Sequence, residues 1–571
     1  MSDDTHPIAA SRRQNKLLAL WPYLAFLLFV TLFSLLFLAD GFNATDEGYL
    51  QSLAQRIVDG QRPGVDFYFL RPPLSLYIQA GLLALFGDSY SILAARWFWT
   101  LQMVLLTLML SVVYRSFVNR TELFLLLCVS WIVSSLLIAF PWYSYDAAFF
   151  AVVALVLLHR RRHFAAGIAM LLAGLAKQNY LLLPCFLIVA ALVQWRWRKT
   201  RILTISSVVG LVAGFAVATL AYLGYLAWYG GGIEPFIENV FVLPHSTSDV
   251  PTSFLLFQNN HEALLKALPT IAAVVLLFWF SHRSRIILVV AVLVSLAAVV
   301  ASMIDQRWFI YQVVYLNYTL LIVASIRLVA ICKRSDKQPL TPFLTLAVAA
   351  LVIQYLSGFN YSGVLFGYMG AAPGLVIGWV VWRKLSPSPH RRTIATAVLL
   401  VVVTLGLFYK YDFVYRDDKR HRLDSQFTES KLAGVLSTRR NVNQVASLVA
   451  TVNEYTNRGD YIFVFPDMPA LYYLTDRKNP TPIDWYALRE FNLRMLTESI
   501  TALEQHRPKL ILLQSYAELD FRRAGDPYPY LRINRWAPFI KWLIANYKKL
   551  DMVGDVVIFV PVDSGRIQRG E

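Results

Sequence analysis

Apolar stretches dominate the pattern along the chain. Thirteen can be marked, at 17–39, 90–114, 121–139, 146–158, 164–176, 180–194, 202–228, 267–281, 286–303, 309–331, 341–356, 364–382 and 393–409. The first is about 23 residues, enough for a helix to cross a bilayer and too long for a signal-peptide core. Several others are shorter and come in pairs, such as 164–176 and 180–194, hinged at Lys177-Gln178-Asn179. The loop between the first two stretches, 40–89, has structure of its own. Leu50, Leu53, Ala54, Ile57 and Val58 recur at helical spacing, which predicts an amphipathic helix over 49–59 lying in the membrane interface. Arg71-Pro72-Pro73 then opens a second apolar helix over 74–86, ended by Gly87. At about 13 residues it is too short to cross and is expected to rest half-sunk in the outer leaflet.

Beyond residue 410 the pattern changes. Polar sequence alternates helical and strand signals: a helix over 445–455, a strand over 461–465, a helix over 500–506, a strand over 510–513, a helix over 538–547 and a strand over 556–560. That alternation predicts a small α/β layer domain. The expected architecture is therefore mainly α: a cytoplasmic tail (1–16), a polytopic transmembrane helical bundle of about 13 spans (17–409) and an outer C-terminal α/β domain (410–571).

Charge fixes the orientation. The chain is 57% hydrophobic and 16% charged, with a formal net charge of +17. Its basic residues form no single face or tail, so nucleic acid is not an expected partner. They sit in alternate loops: Arg115 and Arg120; Arg160, Arg161 and Arg162; Arg196, Arg198, Lys199 and Arg201; Arg283 and Arg285; Lys333, Arg334 and Lys337; Arg383, Lys384, Arg391 and Arg392. Thirteen crossings with a cytoplasmic N-terminus satisfy the positive-inside rule at every loop. The expected location is the cytoplasmic (inner) membrane, with loop 40–89 and the C-terminal domain on the periplasmic or extracellular side. The three cysteines, Cys128, Cys185 and Cys332, lie in or beside apolar stretches and offer no disulfide framework or CxxC metal site.

The candidate chemistry gathers on that outer side. Asp46 and Glu47 are adjacent carboxylates just past the first span, a costly placement unless they are solvated, paired or used. Asp146 follows Tyr143-Ser144-Tyr145 at the outer end of the fourth span, and with Asp46 it is a candidate pair for a divalent cation or for acceptor positioning. Lys177 is a lone cation at an outer hairpin, suited to a lipid phosphate or to snorkelling. Arg307 is a further outer cation with Asp305 beside it. The loop 230–266 reads as a lid over the site. Its His245 and His261 lack the spacing of a helical metal motif and read as solvated histidines.

The order Asp46-Glu47-Gly48-Tyr49, amphipathic helix, Gly60-Gln61-x-Pro63, Asp66-Phe67, Arg71-Pro72-Pro73-Leu74, short helix, Phe86-Gly87 and Ala94-Ala95-Arg96 resembles the type C glycosyltransferases. Within them it is most similar to the branch of the protein O-mannosyltransferases and the lipid A aminoarabinose transferase. The likeness continues at Asp146 and at Gly174-Leu175-Ala176-Lys177, and loosely at Arg458-Gly459-Asp460 and Tyr472-Tyr473-Leu474-Thr475.

The resemblance implies a membrane glycosyltransferase that moves a sugar from a polyprenyl-phosphate-linked donor to a protein hydroxyl, lipid A or an envelope glycan. It implies Asp46 as general base, with helix capping as the alternative. Glu47 would bind a substrate hydroxyl, help hold a metal or favour the first helical turn. Asp66, Arg71, Asp146, Lys177 and Arg307 are implied as substrate-binding. Relatives often carry Lys at Arg71, so a phosphate contact there takes a fork in place of a point charge. They also carry polar or basic residues where Ser357-Gly358-Phe359-Asn360-Tyr361-Ser362-Gly363 stands, and this chain has neither Arg nor His there. Rival classes are a lipid or solute transporter, which places charges near the bilayer midplane in two matching halves, and a non-catalytic assembly subunit of the same fold.

Overall fold

The structure is a computed structural model of the full chain, and it describes residues 6–196, 204–229, 231–244, 306–334, 341–358, 363–385, 389–486, 492–514 and 529–563, with scattered positions between 264 and 275. The described part is mostly helical with a small C-terminal sheet. Helices α1 (His6–Phe37), α2 (Asp46–Val58), α3 (Leu74–Phe86), α4 (Ser91–Tyr114), α5 (Arg120–Ser134), α6 (Tyr143–His159) and α7 (His163–Ala176) come in order. Helices Leu183–Arg196, Ile205–Trp228, Gln306–Arg334, Thr341–Gly358, Ala371–Leu385 and Pro389–Asp412 complete the bundle. Eleven of the thirteen apolar stretches fall on these elements, and 267–281 and 286–303 lie largely or wholly outside the described residues. Among the described residues, four segments are long and apolar enough to cross a membrane: Leu20–Phe37, Ser91–Tyr114, Ile205–Trp228 and Phe309–Ile326. Six others, including Tyr143–His159 and His163–Ala176, are shorter apolar helices.

The bundle core is aliphatic and aromatic, with Trp99, Trp131 and Tyr145 fully enclosed and in ring contact. On helices α1 and Ile205–Trp228 most exposed residues are themselves apolar, Leu28, Leu35, Val209 and Leu220 among them, as a lipid-facing surface requires. At the basic end, Asn119 and Glu122 form a reciprocal capping box on α5, and the other Glu122 oxygen holds Arg383 of helix Ala371–Leu385 at 2.8 Å.

The tail carries the expected helices and strands, with an edge strand and a two-stranded ribbon added. Strands β3 (Ile462–Phe465), β4 (Leu510–Gln514), β5 (Tyr547–Val553) and β6 (Val556–Pro561) form one sheet in the order β3-β4-β6-β5. The β3–β4 pair is parallel and the others antiparallel. A two-stranded ribbon of β1 (Ser425–Gln426) and β2 (Leu436–Ser437) precedes it. Helices Arg439–Tyr455, Leu493–Gln505 and Pro529–Asn546 overlap the expected ones, and each begins earlier than read.

Helix α2 departs from its expectation. Its burial runs nearly all round, Asp46 through Ala54 and Arg56, so it is enclosed by protein and does not lie open on an interface. The C-terminal domain forms its roof. Arg56 pairs with the fully buried Asp484, which also accepts from Ser52 and Asn479, while another Arg56 nitrogen donates to the Thr481 carbonyl at 3.0 Å. Helix Ala470–Thr475 lies so close that a Cβ on Gly48 would stand 2.4 Å from that of Ala470 and 2.8 Å from its backbone. Only hydrogen fits there, which is why the acid pair is followed by glycine. By contrast, α3 has the expected bounds and leaves Leu85 and Phe86 exposed at its end.

The replacement Gly48→Ala pushes the roof off α2. The expected outcome is a destabilisation of about 1–3 kcal/mol, read as a lowered melting midpoint of the detergent-solubilised protein, with activity falling alongside it.

Candidate active site

The turn entering α2 sets the acids. The Asn43 side-chain oxygen accepts from the backbone N–H groups of Thr45 at 2.9 Å and Asp46 at 3.0 Å, while Thr45 makes no side-chain cap. Asn43 thereby does the capping work that was the alternative for Asp46. The Asp46 carboxylate is only 4% exposed. On its Oδ2 converge the Asn43 amide at 3.1 Å, the Tyr415 hydroxyl at 2.7 Å and the Arg416 guanidinium at 3.2 Å. Burial first, then the Asp46 charge, pushes the Tyr415 phenol well above its ordinary range, so it stays a donor to the carboxylate.

Glu47 points elsewhere. Its two oxygens take the Nε and Nη2 of Arg96 at 2.8 and 2.7 Å, a fork–fork pair across α2 and α4 with both residues buried. The remaining Arg96 donors reach the carbonyls of Leu38 at 2.8 Å and Gly41 at 2.7 Å. Glu47 stands in the first turn of α2, one of the roles considered for it, and its carboxylate is taken up by Arg96. The pair fastens the end of α1, the acid turn and α4 to one point.

A wall of aromatic rings runs from Asp46 to the cations. Tyr415 meets Phe140 at 6.1 Å, Phe140 meets Trp142 at 6.4 Å, and Trp142 meets Tyr143 at 4.6 Å, between ring centroids. Arg71 lies over the Tyr143 ring at 4.4 Å and near Phe69 at 6.0 Å. Lys177 sits in the hinge between α7 and the turn Gln178–Leu182, buried, with its ammonium donating to the Ser357 carbonyl at 2.8 Å. Burial, and then the neighbouring Arg71 charge, pulls that ammonium down to about 7. The opposite wall comes from α2 and the roof: Tyr49 contacts Phe69 at 6.2 Å and Trp485 at 5.3 Å, and the Trp485 indole donates to Asp467.

Asp146 belongs to a different cluster. Its Oδ1 accepts from Gln102 at 2.7 Å, whereas Asn43, Tyr415 and Arg416 hold Asp46. Its Oδ2, Gln102 Oε1 and both amide atoms of Gln79 are buried without a hydrogen-bond partner. No group of three or more metal-ligating side chains occurs among the described residues. Asp66 is half-exposed and closes a local turn with Arg62, through the backbone N–H at 2.7 Å and the side chain at 3.4 Å. Arg307 lies in the first turn of helix Gln306–Arg334, but its side chain is outside the described residues, as are Asp305, His245 and His261. In the supposed lid, Glu238 pairs with Arg494 of the C-terminal domain at 2.8 Å.

Sequence reasoning assigned no role to Arg96, Tyr415, Arg416 or Asp467. Arg96 carried a signal, a lone cation inside an apolar span, which marks a buried partner. Tyr415 and Arg416 sit just past the last span, where nothing in the local pattern distinguishes them.

No protein-family model matches the chain, and no curated protein does. Solved structures show a likeness, among them the following three. An oligosaccharyltransferase from Archaeoglobus fulgidus, in complex with zinc and sulfate, aligns with a TM-score of 0.46 and 11% identity, over 86% of this chain and 67% of that one. The same enzyme tethered with an acceptor peptide containing the NVT sequon aligns with a TM-score of 0.48 and 12% identity, over 93% and 72%. ArnT from Cupriavidus metallidurans bound to undecaprenyl phosphate aligns with a TM-score of 0.43 and 14% identity, over 96% and 99%. At these scores the likeness carries no functional reading, which rests on this chain's own residues.

Lys177 gives a pH signature. As pH rises through about 7 the free ammonium loses its proton, so an anion gripped by it is held less tightly. For a donor phosphate, kcat/KM is expected to fall about tenfold from the acidic to the alkaline side of that value, since this ratio reports the free enzyme. Lys177→Met is expected to lower kcat/KM at acidic pH and flatten the profile.

Proposed function

We propose that the chain is a membrane glycosyltransferase that takes a sugar from a polyprenyl-phosphate-linked donor and passes it to an acceptor on the outer face of the cytoplasmic membrane. The observation carrying this reading is the pairing of a buried, oriented carboxylate, Asp46, with the Arg71–Lys177 cations along one aromatic wall. A carboxylate held by a phenol and a guanidinium suits proton abstraction from an oxygen nucleophile. Two adjacent cations suit a phosphate whose charge grows as it leaves. Aromatic faces between them suit the apolar side of a sugar ring.

In the reaction, an acceptor hydroxyl gives its proton to the Asp46 carboxylate. Its oxygen bonds to the anomeric carbon as the bond from that carbon to the phosphate oxygen breaks. The electron pair leaves with the polyprenyl phosphate, whose charge Arg71 and Lys177 stabilise. The polyprenyl tail stays in the bilayer beside the exposed apolar end of α3. The C-terminal domain, which supplies Trp485 and Asp467, closes the acceptor side. A divalent cation has a weak case in the described residues, since Asp46 and Asp146 have separate partners and Asp46 is already charge-paired with Arg416.

Two measurements test the assignment. Envelope glycolipids and glycoproteins compared by mass spectrometry with and without the gene are expected to differ by one sugar on one acceptor class. The variant Asp46→Asn is expected to lose about 10²–10⁴-fold in turnover while retaining polyprenyl-phosphate binding. Unchanged turnover removes Asp46 from the chemistry, whereas no difference in glycolipids or glycoproteins returns the chain to a transport or scaffold role.

A further inference from the structure

Two separate segments deliver the groups that hold Asp46. Asn43 comes from the turn after α1, while Tyr415 and Arg416 come from the segment leading into the C-terminal domain. One carboxylate, Asp417, stands where these segments meet the domain. Its Oδ2 accepts from the Phe42 backbone N–H at 3.2 Å and from the Ser437 hydroxyl at 2.5 Å. Its Oδ1 accepts from the Asn441 amide at 3.0 Å and from the Asp418 backbone N–H at 2.8 Å. Phe42 directly precedes Asn43, and Asp417 directly follows Arg416. Ser437 lies in β2 and Asn441 in the first turn of helix Arg439–Tyr455.

The backbone is drawn together at the same point. Leu436 of β2 donates to the Ala39 carbonyl and accepts from the Gly41 N–H, both at 2.8 Å. A Cβ on Gly41 would stand 2.3 Å from the Val414 side chain and 3.3 Å from the Asp417 Cβ. The cations beside Asp417 in sequence are bound elsewhere: Arg416 to Asp46, Lys419 to Asp412, Arg420 to Asp40 and Arg422 to Asp418. Asp417 is thus an acceptor for four neutral donors from three segments. Asparagine in its place offers one acceptor oxygen to those four, and its amide N–H groups meet other donors.

We infer that Asp417 is a positioning residue through which the seating of the C-terminal domain sets the aim of Asp46. It ties the acid turn, the Tyr415–Arg416 segment and the domain to one carboxylate, so a domain that shifts loosens the groups on the base. This deepens the transferase reading as regulation of the same site, and rests on it for calling Asp46 the base.

The charged groups around Asp46 set the sign of the test. Arg416 and Tyr415 hold it from the linker, and Glu47 beside it on α2 is neutralised by Arg96 of α4. Asp40 and Lys410 line the adjoining cleft with Asn43 and Tyr415, and Asp467 of the roof acts on Arg416. Removing the Asp417 charge through space alone eases ionisation of Asp46 and moves its titration to lower pH. Loosening Arg416 and Tyr415 does the opposite, because both favour the charged carboxylate.

The readout is an infrared pH titration of the full chain in detergent, following the protonated-carboxyl band that Asp46→Asn removes. Asp417→Asn is expected to raise the midpoint of that band by about one pH unit. Ser437→Ala and Asn441→Ala each remove one donor on the domain side and are expected to raise it by less. These milder variants carry the test where Asp417→Asn does not fold. Tyr547→Phe is the control, since it removes a hydrogen bond to the Pro508 carbonyl within the domain. It is expected to lower the melting midpoint and leave the band in place. A band midpoint that stays or falls in Asp417→Asn, or in both domain-side variants where Asp417→Asn does not fold, overturns the proposal. So does an equal rise in Tyr547→Phe. Envelope glycoconjugates of cells whose only copy carries Asp46→Asn, compared by mass spectrometry, separate the two readings. Normal product there with an Asp417-dependent midpoint sinks the role of Asp46 as base alone. Lost product with an Asp417-independent midpoint sinks only this coupling.

Discussion

The bidentate pair between Glu47 and Arg96 is the constraint on which the candidate site depends. It joins α2 to α4, and through the Leu38 and Gly41 carbonyls it also fixes the point where the chain leaves α1. A buried ion pair is not a strong source of net stability, because desolvation offsets most of its attraction. Breaking it from one side is another matter: a lone charge left in that place costs on the order of 3–5 kcal/mol. The pair therefore acts as a register pin. Asp46 is the neighbour of Glu47 in the first turn of α2, so fixing one carboxylate aims the other, and in the proposed reaction the adjacent acids divide positioning from chemistry.

Above this pin sits the C-terminal domain, which is part of the site and more than a cover. Asp484 clasps Arg56, Ser52 and Asn479, Gly48 admits helix Ala470–Thr475, and Trp485 stands against Tyr49. The segment between bundle and domain supplies Tyr415 and Arg416, which hold Asp46 directly. The roof and the acid turn are consequently one unit: a change in the domain that shifts residues 467–485 is felt at the carboxylate. This coupling gives the site a low-dielectric interior, where Asp46, Arg71 and Lys177 act more strongly than they would in open water.

Much of this was legible in the residues. Apolar stretches mark helices because a bilayer-facing or core-facing segment leaves no room for polar interruptions, and α3, α4 and α6 fall close to their expected places. The strands Ile462–Phe465, Leu510–Gln514 and Val556–Pro561 are largely buried and mostly apolar, so they announced themselves. β5 did not. It is an edge strand carrying Lys548, Lys549 and Asp551 with a register shift between Lys549 and Asp551, and its solvated polar face hides the period that identifies a strand. The burial of α2 was hidden for a related reason, since its polar face, Ser52 and Arg56, is matched by Asp484 more than 400 positions away. The acid pair itself was visible, but its division of labour was not, because Arg96 reaches Glu47 only once α4 is packed.

The claim at the centre is that Asp46 and the Arg71–Lys177 pair serve a single donor molecule from opposite ends. An experimental structure with a non-transferable polyprenyl-phosphate sugar analogue tests it most directly. The phosphate is expected within hydrogen-bond reach, about 3 Å, of Arg71 and Lys177, with the anomeric carbon turned toward Asp46 along the Phe140–Trp142–Tyr143 wall. A phosphate seated elsewhere, or an anomeric carbon turned away from Asp46, contradicts it.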